Sequence, residues 1–166
     1  MYTLSLKLET DLFQEDILNK RFEIARKMYN SLLAKVLKRY NKLIKTKEWL
    51  DNQLNIKNNF NNKKVCKEFY SIKNKLLKEY NLNEYSLHND VKNMQHKFKK
   101  NIDSFTAQKL ASRVWIAFED LIYGNANKIH FKNFTQGLFS LEGKSNKAGI
   151  RYNLKNNTLE WNKLII

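Results

Sequence analysis

Lysine side chains recur along one face of the first long helix that the sequence predicts. Apolar residues at intervals of three and four indicate an amphipathic helix, and the opposite face carries Lys20, Lys27, Ser31, Lys38, Lys42 and Lys45. No acid interrupts this stripe, whereas an ordinary solvent-facing helix mixes both signs. Ammonium groups at this spacing can follow the phosphates of a polynucleotide. A merely solvated face is the alternative interpretation.

Arg26 and Asn30 lie one turn apart on the same helix, so the two side chains could clamp one ligand. Between them in sequence, Tyr29 falls on the apolar face and is expected in the core.

A second set of basic and polar residues surrounds turns near the end of the chain. Gly143 and Gly149 could let the backbone approach a phosphate closely. Phe139 and Trp161 could stack on bases or could simply be core residues of strands. The candidate binding residues here are Lys128, Lys132, Ser140, Lys144, Asn146, Lys147 and Arg151.

The histidines do not form a recognisable metal site. His88 and His96 are two helical turns apart, which is too far for one metal, and His130 stands alone. Each could be an ordinary polar residue. His88 could also give one hydrogen bond to a base or a phosphate, and Asn89 and Lys92 lie beside it.

The residues that hydrolytic chemistry needs are missing. A two-metal nuclease requires clustered carboxylates, but the 16 acids are scattered. Glu119 and Asp120 form an acidic pair on a predicted helix, where a surface position beside lysines is expected. The single cysteine, Cys66, excludes an internal disulfide and a multi-cysteine zinc site. No glycine-rich phosphate loop is recognisable. We therefore expect no catalytic residues, metal or cofactor on this chain.

Composition favours a polyanionic partner. The 166 residues include 31 Lys and Arg against 16 Asp and Glu, for a net charge of +15. Nucleic acid is the first expectation and an anionic membrane surface the second. A hydrophobic content of 42% is enough for a packed core. No apolar run is long enough to span a membrane, and the acidic N-terminus does not resemble a signal peptide.

The periodicity predicts three to five helices with short connections. Tyr2–Leu8 alternates like a half-buried strand. The region after Asp11 reads as one long helix to Trp49 or as two helices broken near Lys45, and residues 51–62 read as an asparagine-rich loop. One further helix is expected over 63–80, another begins at a cap at Ser86, and a last one runs over 104–123 and ends before Gly124. The last two helices could be separate or joined.

The tail changes to short alternating runs around turns and ends on a strand-like Leu164–Ile166. The fold class is therefore α+β, with a helical bundle inserted between an N-terminal strand and a C-terminal group of strands that forms a small barrel or sheet. The expected boundaries are 1–10 with 125–166 for the split β domain and 11–124 for the helical lobe. An unfinished final strand suggests that a larger part of the protein lies elsewhere.

Three blocks give the chain a resemblance to a known family. Ala25-Arg26-Lys27-Met28-Tyr29-Asn30 is similar to a signature on the first helix of the TnpB (OrfB-type) transposon-associated proteins and the related type V CRISPR effectors. Residues 87–94, followed by Phe98, resemble a second helix of that family. Phe131-Lys132 resembles the start of its second β segment. His88 stands where the family commonly has Gln, and Glu9-Thr10-Asp11 replaces a frequent Pro.

The resemblance implies a wedge domain split by a recognition lobe, without the family's RuvC nuclease and zinc ribbon. It implies binding of a guide RNA, target DNA and their RNA–DNA heteroduplex, with the helix of His88 and Asn89 facing DNA beside the target. Mg²⁺ would be needed only at a RuvC site supplied by a partner chain. The expected location is the prokaryotic cytoplasm, at the nucleoid.

Three hypotheses stay open at this point. The chain is the non-catalytic nucleic-acid-binding half of a TnpB-like RNA-guided DNA endonuclease, or a nuclease-free regulator that binds nucleic acid alone. The third hypothesis, from another class, is a basic helical module that contacts a protein or an anionic membrane.

Overall fold

The computed structural model describes residues 5–135 and 137–166, in which five helices precede a small antiparallel sheet. The architecture is α+β, as expected. The elements are α1 (Leu12–Leu43), α2 (Lys47–Asn58), α3 (Lys63–Glu79), α4 (Glu84–Lys97), α5 (Ser104–Ile122), β1 (Arg151–Asn153), β2 (Thr158–Trp161) and β3 (Leu164–Ile165).

Side-chain caps set where the first two helices begin. Asp11 and Gln14 form a reciprocal capping box at the start of α1. Thr46 accepts a hydrogen bond from the Trp49 backbone N–H at 3.3 Å and begins α2. The predicted break near Lys45 is therefore confirmed.

The asparagine-rich region after Trp49 is mostly helical, so the predicted loop over 51–62 is wrong except at its end. α2 continues to Asn58 because its inner face packs against α3: Trp49 and Asn52 are buried, and the Asn52 amide donates to the Phe69 carbonyl at 3.1 Å. Packing of this kind outweighs the weak helix propensity of asparagine.

The remaining helices also start at side-chain caps. Asn62 caps α3 and Asp103 caps α5. Asn83, rather than the predicted Ser86, caps α4 by accepting from the Ser86 backbone N–H at 2.9 Å. α4 and α5 are separate helices joined by the turn over residues 98–103.

The core lies where α1, α4 and α5 meet. The predicted inward residues Leu32, Leu87, Leu110 and Phe118 are among the most deeply buried. Gly124 follows α5 with a φ of +82°, a left-handed conformation that ends helices.

The sheet is a three-stranded antiparallel ribbon in the order β1–β2–β3, not a closed barrel. Asn162 and Lys163, with φ values of 45° and 69°, form the two-residue turn between β2 and β3. The Ile165 carbonyl on the outer edge of β3 accepts a hydrogen bond from the Gln14 amide at 3.0 Å. The sequence of residues 129–132 favours a strand, but these residues are not in a strand in the structure.

The predicted strand over Tyr2–Leu8 falls partly outside the described residues, which begin at residue 5. Residues 5–10 are not in a strand, and the Leu6 and Leu8 side chains are exposed. The division into a split β domain and a helical lobe stays a prediction.

A buried guanidinium joins the sheet to the helices. Arg21, only 4% exposed, donates to the carbonyls of Trp161 and Asn162 at 2.5 and 3.0 Å. Its carbon Cζ lies 4.7 Å from the centroid of the Trp161 ring. The Trp161 indole N–H in turn donates to the Asp103 carboxylate at 2.9 Å. Burial lowers the pKa of Arg21, and the negative charge of Asp103 opposes that shift.

A buried ammonium holds the α2–α3 pair against the end of α5. Lys73 donates to the Ile122 carbonyl at 2.7 Å. Its Nζ lies 4.8 Å from the Tyr123 ring centroid and 5.8 and 5.9 Å from those of Trp49 and Tyr70. A cation among ring faces at the C-terminus of a helix is favoured by the rings and by the helix dipole. Burial nevertheless lowers the pKa of Lys73.

Trp161→Phe should lower the free energy of unfolding by about 1.5–3 kcal/mol, because it removes a hydrogen bond to a charged, partly buried carboxylate while keeping an aromatic ring beside Arg21. Urea titration followed by circular dichroism measures the change. Trp115→Phe is the matched control, since the Trp115 indole N–H makes no hydrogen bond within the described residues. Equal losses in the two variants would contradict the role assigned to the Asp103 contact.

Lys73→Met should change how stability depends on pH. Because the native pKa of Lys73 lies below its usual 10.5, the unfolded chain binds more protons over the range beneath 10.5, and stability rises with pH there. We expect the unfolding free energy of the wild type to increase relative to that of Lys73→Met as the pH approaches 10.5. Lys75→Met, at an exposed position of the same helix, should run parallel to the wild type. A pH-independent difference between wild type and Lys73→Met would refute this expectation.

Candidate nucleic-acid interface

A polar groove of about 330 Å³ lies between α4 and α5. α4 contributes residues spaced by three and four, which places them on one face of the helix. Val91 and Ala107, each 1% exposed, form the floor. The polar lining consists of Tyr85, His88, Asn89, Lys92, Gln95, His96, Ser104 and Gln108. Three of the predicted binding residues, His88, Asn89 and Lys92, therefore come together here.

Most of these side chains keep their hydrogen-bonding capacity for a ligand. Within residues 5–135 and 137–166, the side chains of Asn89, Lys92, His96 and Gln108 make no hydrogen bond or ion pair. Gln95 is engaged, because its amide donates to the Ile102 carbonyl at 3.0 Å and supports the turn before α5. The groove thus presents amide donors and acceptors, which match the edges of nucleobases.

One ring nitrogen of His88 already contacts other side chains of the protein. Its Nε2 lies 3.1 Å from the Ser112 hydroxyl oxygen and 3.6 Å from a Glu84 carboxylate oxygen, while the Ser112 hydroxyl donates to that same Glu84 carboxylate. A Ser–His–acid triad needs the acid on the ring nitrogen remote from the serine. Here both partners meet Nε2, so this cluster lacks the geometry for nucleophilic catalysis, and only Nδ1 of His88 is left for a ligand.

The groove continues into a run of positive charge. Residues 92–100 contain Lys92, Lys97, Lys99 and Lys100 and no acid, and all four lysines are exposed. The Asn162 amide donates to the Lys99 carbonyl at 3.1 Å, which brings the β2–β3 turn beside this run. The sequence interpretation missed Lys97, Lys99, Lys100 and Gln108. The three lysines could have been found from the sequence, because together with Lys92 they give four lysines within nine residues that include no carboxylate.

The lysine stripe on α1 is exposed as predicted, but it does contain an acid. Glu23 pairs with Lys27 at 3.3 Å and with Arg26 at 2.7 Å, and the hydrogen bonds from Arg26 lower the pKa of Glu23 to about 2. Opposite charges one turn apart are the ordinary pattern of a solvated face. Lys20, Lys38 and Lys42 have no such partner within the described part of the chain.

Arg26 and Asn30 do clamp one site, but that site is this chain's own backbone. The Asn30 amide donates to the Lys132 carbonyl and accepts from the Lys132 N–H, both at 2.8 Å, and Arg26 donates to the same carbonyl at 3.0 Å. The Lys132 Nζ lies 5.8 Å from the centroid of the Tyr29 ring, and Tyr29 is buried as expected. This arrangement fixes the segment after α5 against α1.

The candidate binding residues near the end of the chain also make contacts mainly within the protein itself. Asn146 bonds both the N–H and the carbonyl of Tyr152, and Arg151 pairs with Glu160 at 3.2 Å. The Ser140 carbonyl accepts from Arg113 at 2.6 Å. The side chains of Lys128, Lys144 and Lys147 are exposed and make no ion pair within the described residues, and the Lys144 Nζ lies 5.8 Å from the centroid of the Phe105 ring.

The two tail glycines allow a close approach within the chain itself. A Cβ at Gly143 would lie 2.7 Å from the Ile150 backbone nitrogen, and one at Gly149 would lie 3.2 Å from the Gly143 Cα. Any side chain at Gly143 would therefore push the backbone segments that contain Gly143 and Ile150 apart.

Residues 5–135 and 137–166 contain no group of three His, Cys, Asp or Glu side chains arranged to hold a metal ion. No helix in that part of the chain is long and apolar enough to cross a membrane.

Comparisons with protein-family models, with curated proteins and with solved structures gave no match to this chain.

Proposed function

We propose that this protein binds polynucleotides through the groove between α4 and α5 and the adjoining lysines. The observation that carries the proposal is the coincidence of unpaired amide and imidazole groups with a lysine run that no acid neutralises. Amides without partners match base edges, and uncompensated lysines match phosphates. A protein partner would require acidic side chains for the lysines and would leave the amides of the polar lining, Asn89 and Gln108, without a defined role.

The division of labour within this interface follows from the chemistry of each group. Lys92, Lys97, Lys99 and Lys100 would position the phosphate backbone, because their charge carries no sequence information. Asn89 and Gln108 can each bond the edge of a base, adenine most favourably. Tyr85, 76% exposed at the groove rim, offers a face for stacking. Binding should therefore combine a strong salt dependence with some base preference.

The polynucleotide we favour is a guide RNA and its heteroduplex with target DNA. The resemblance to TnpB-type proteins supports this choice. Under this proposal the chain is the non-catalytic part of an RNA-guided DNA endonuclease. A RuvC-bearing partner chain, with its Mg²⁺, would cut the DNA.

Two alternatives predict different measurements. A stand-alone regulator would bind nucleic acid equally well but would have no RuvC-bearing chain encoded nearby. A basic protein-interaction module would bind its partner with far less salt sensitivity than binding through many phosphates entails. Sequencing the RNA that co-purifies with the chain separates these cases, because only the guide-RNA proposal requires one discrete structured RNA.

Replacing Lys97, Lys99 and Lys100 together by Gln should weaken RNA binding and reduce its salt dependence. Each lost phosphate contact lowers the slope of log K against log salt by about 0.7–0.9, so the slope should fall by about 2 if all three lysines bind. Fluorescence anisotropy with labelled RNA over a range of salt concentrations measures both quantities.

The matched control changes Lys67, Lys75 and Lys78 of α3 to Gln, because these lysines are also exposed and the variant has the same net charge. We expect its salt slope to stay near that of the wild type. If the two triple variants lose affinity and slope equally, binding depends on overall charge and the proposed interface is wrong.

A further inference from the structure

A second groove, of about 560 Å³, lies beside α1. It separates α1 from the segment that precedes β1. The lining consists of Asn19, Phe22, Glu23 and Arg26 on α1, and of Phe134, Gly137, Leu138 and Phe139. Its volume falls in the range of about 300–1,000 Å³ that is usual for small-ligand sites.

The groove exposes aromatic rings over a buried floor. Phe134 and Phe139 are 82% and 75% exposed, whereas Leu138 between them is 5% exposed and belongs to the core. A Cβ at Gly137 would lie 3.7 Å from Phe139 Cε1 and 3.3 Å from the Asn133 carbonyl oxygen. A Cβ would therefore be close to the Asn133 carbonyl but in ordinary contact with the Phe139 ring, and both phenylalanine rings are accessible to a flat ligand because they are exposed.

Polar groups at the α1 side complement a base rather than an aliphatic side chain. The Asn19 amide makes no hydrogen bond within the described residues. The Arg26 guanidinium is fixed by two hydrogen bonds to Glu23, at 2.8 and 2.7 Å, and by its bond to the Lys132 carbonyl. A fixed guanidinium plane can stack on a nucleobase, and a free amide can bond the base edge.

The charge around the groove favours an anionic ligand. Lys20 and Lys27 directly follow the lining residues Asn19 and Arg26 in sequence, and Glu23, the one acid in the lining, pairs with both Arg26 and Lys27. Asp16 lies one turn before Lys20 and outside the lining. An occupant that combines a flat ring with a negative backbone satisfies both the phenylalanines and the lysines, whereas an apolar peptide satisfies only the phenylalanines.

We propose that this groove takes one unpaired nucleobase of a bound RNA, stacked on Phe134 and Phe139, with its phosphates toward Lys20 and Lys27. The inference rests on the proposed function but concerns a separate surface from the α4–α5 groove. It makes the protein sensitive to single-stranded positions, since a base inside a duplex has no free face to stack.

The test compares the Phe134→Leu/Phe139→Leu double variant with the wild type by fluorescence anisotropy. The probes are a single-stranded RNA of about 12 nucleotides with one 2-aminopurine, the same RNA annealed to its complement, and an abasic strand of equal length. Phe60→Leu is the matched control, because Phe60 is also 75% exposed but lies far along the chain between α2 and α3.

We expect the double variant to bind the single strand about 5- to 100-fold more weakly, with loss of the 2-aminopurine quenching, and to bind the duplex like the wild type. Phe60→Leu should match the wild type with every probe. Unchanged urea midpoints would show that the variants are folded, as the exposure of these rings leads us to expect.

Equal binding of the single strand by double variant and wild type would overturn the base pocket, as would equal wild-type affinity for the abasic strand. The latter result would point to a protein segment as the occupant. In either case the effect of the Lys97, Lys99 and Lys100 substitutions still reports separately on the α4–α5 interface. Failure of the wild type to bind any of the probes would overturn both proposals.

Discussion

The structure depends on the contact between the Arg21 guanidinium and the last hairpin. A buried cation with two carbonyl partners and an indole face is costly to place in a core unless its hydrogen bonds form together. Trp161 supplies both a carbonyl and the ring, and its indole N–H reaches Asp103, which also caps α5. One connected set of hydrogen bonds therefore links α1, α5 and the sheet. The sheet is too small to be stable alone, so its stability depends on its contacts with the helices, this buried link among them.

The ion pairs show how so basic a chain holds its helices together. Several carboxylates are engaged in structural contacts: Asp90 pairs with Arg39 and Lys35 between α4 and α1, Glu23 pairs with Arg26 and Lys27, and Asp103 caps a helix. The lysines of residues 92–100 make no ion pair within the described residues, and repulsion among their like charges opposes the compact state.

Periodicity and capping chemistry predicted the helices well, because each signal is local. The break after Leu43, the helix over 63–80 and the left-handed Gly124 were all visible in the sequence. The predictions that were wrong concern contacts between residues distant in sequence. α2 continues through an asparagine-rich stretch because Asn52 contacts α3. Arg26 and Asn30 bind the backbone of Lys132, more than 100 residues away. The polar face of α4 was foreseen at His88, Asn89 and Lys92, but its α5 wall could not be, since pairing of two helix faces is a property of the tertiary fold.

The hydrogen bond from Gln14 to the outer carbonyl of Ile165 has a consequence for assembly. A bare edge strand is a template on which other chains add by backbone pairing. Here that template is two residues long and its outward acceptor already has a donor from α1. A subunit that paired its backbone with β3 would first have to break the hydrogen bond between Gln14 and Ile165. Self-association along this edge of the sheet is therefore disfavoured.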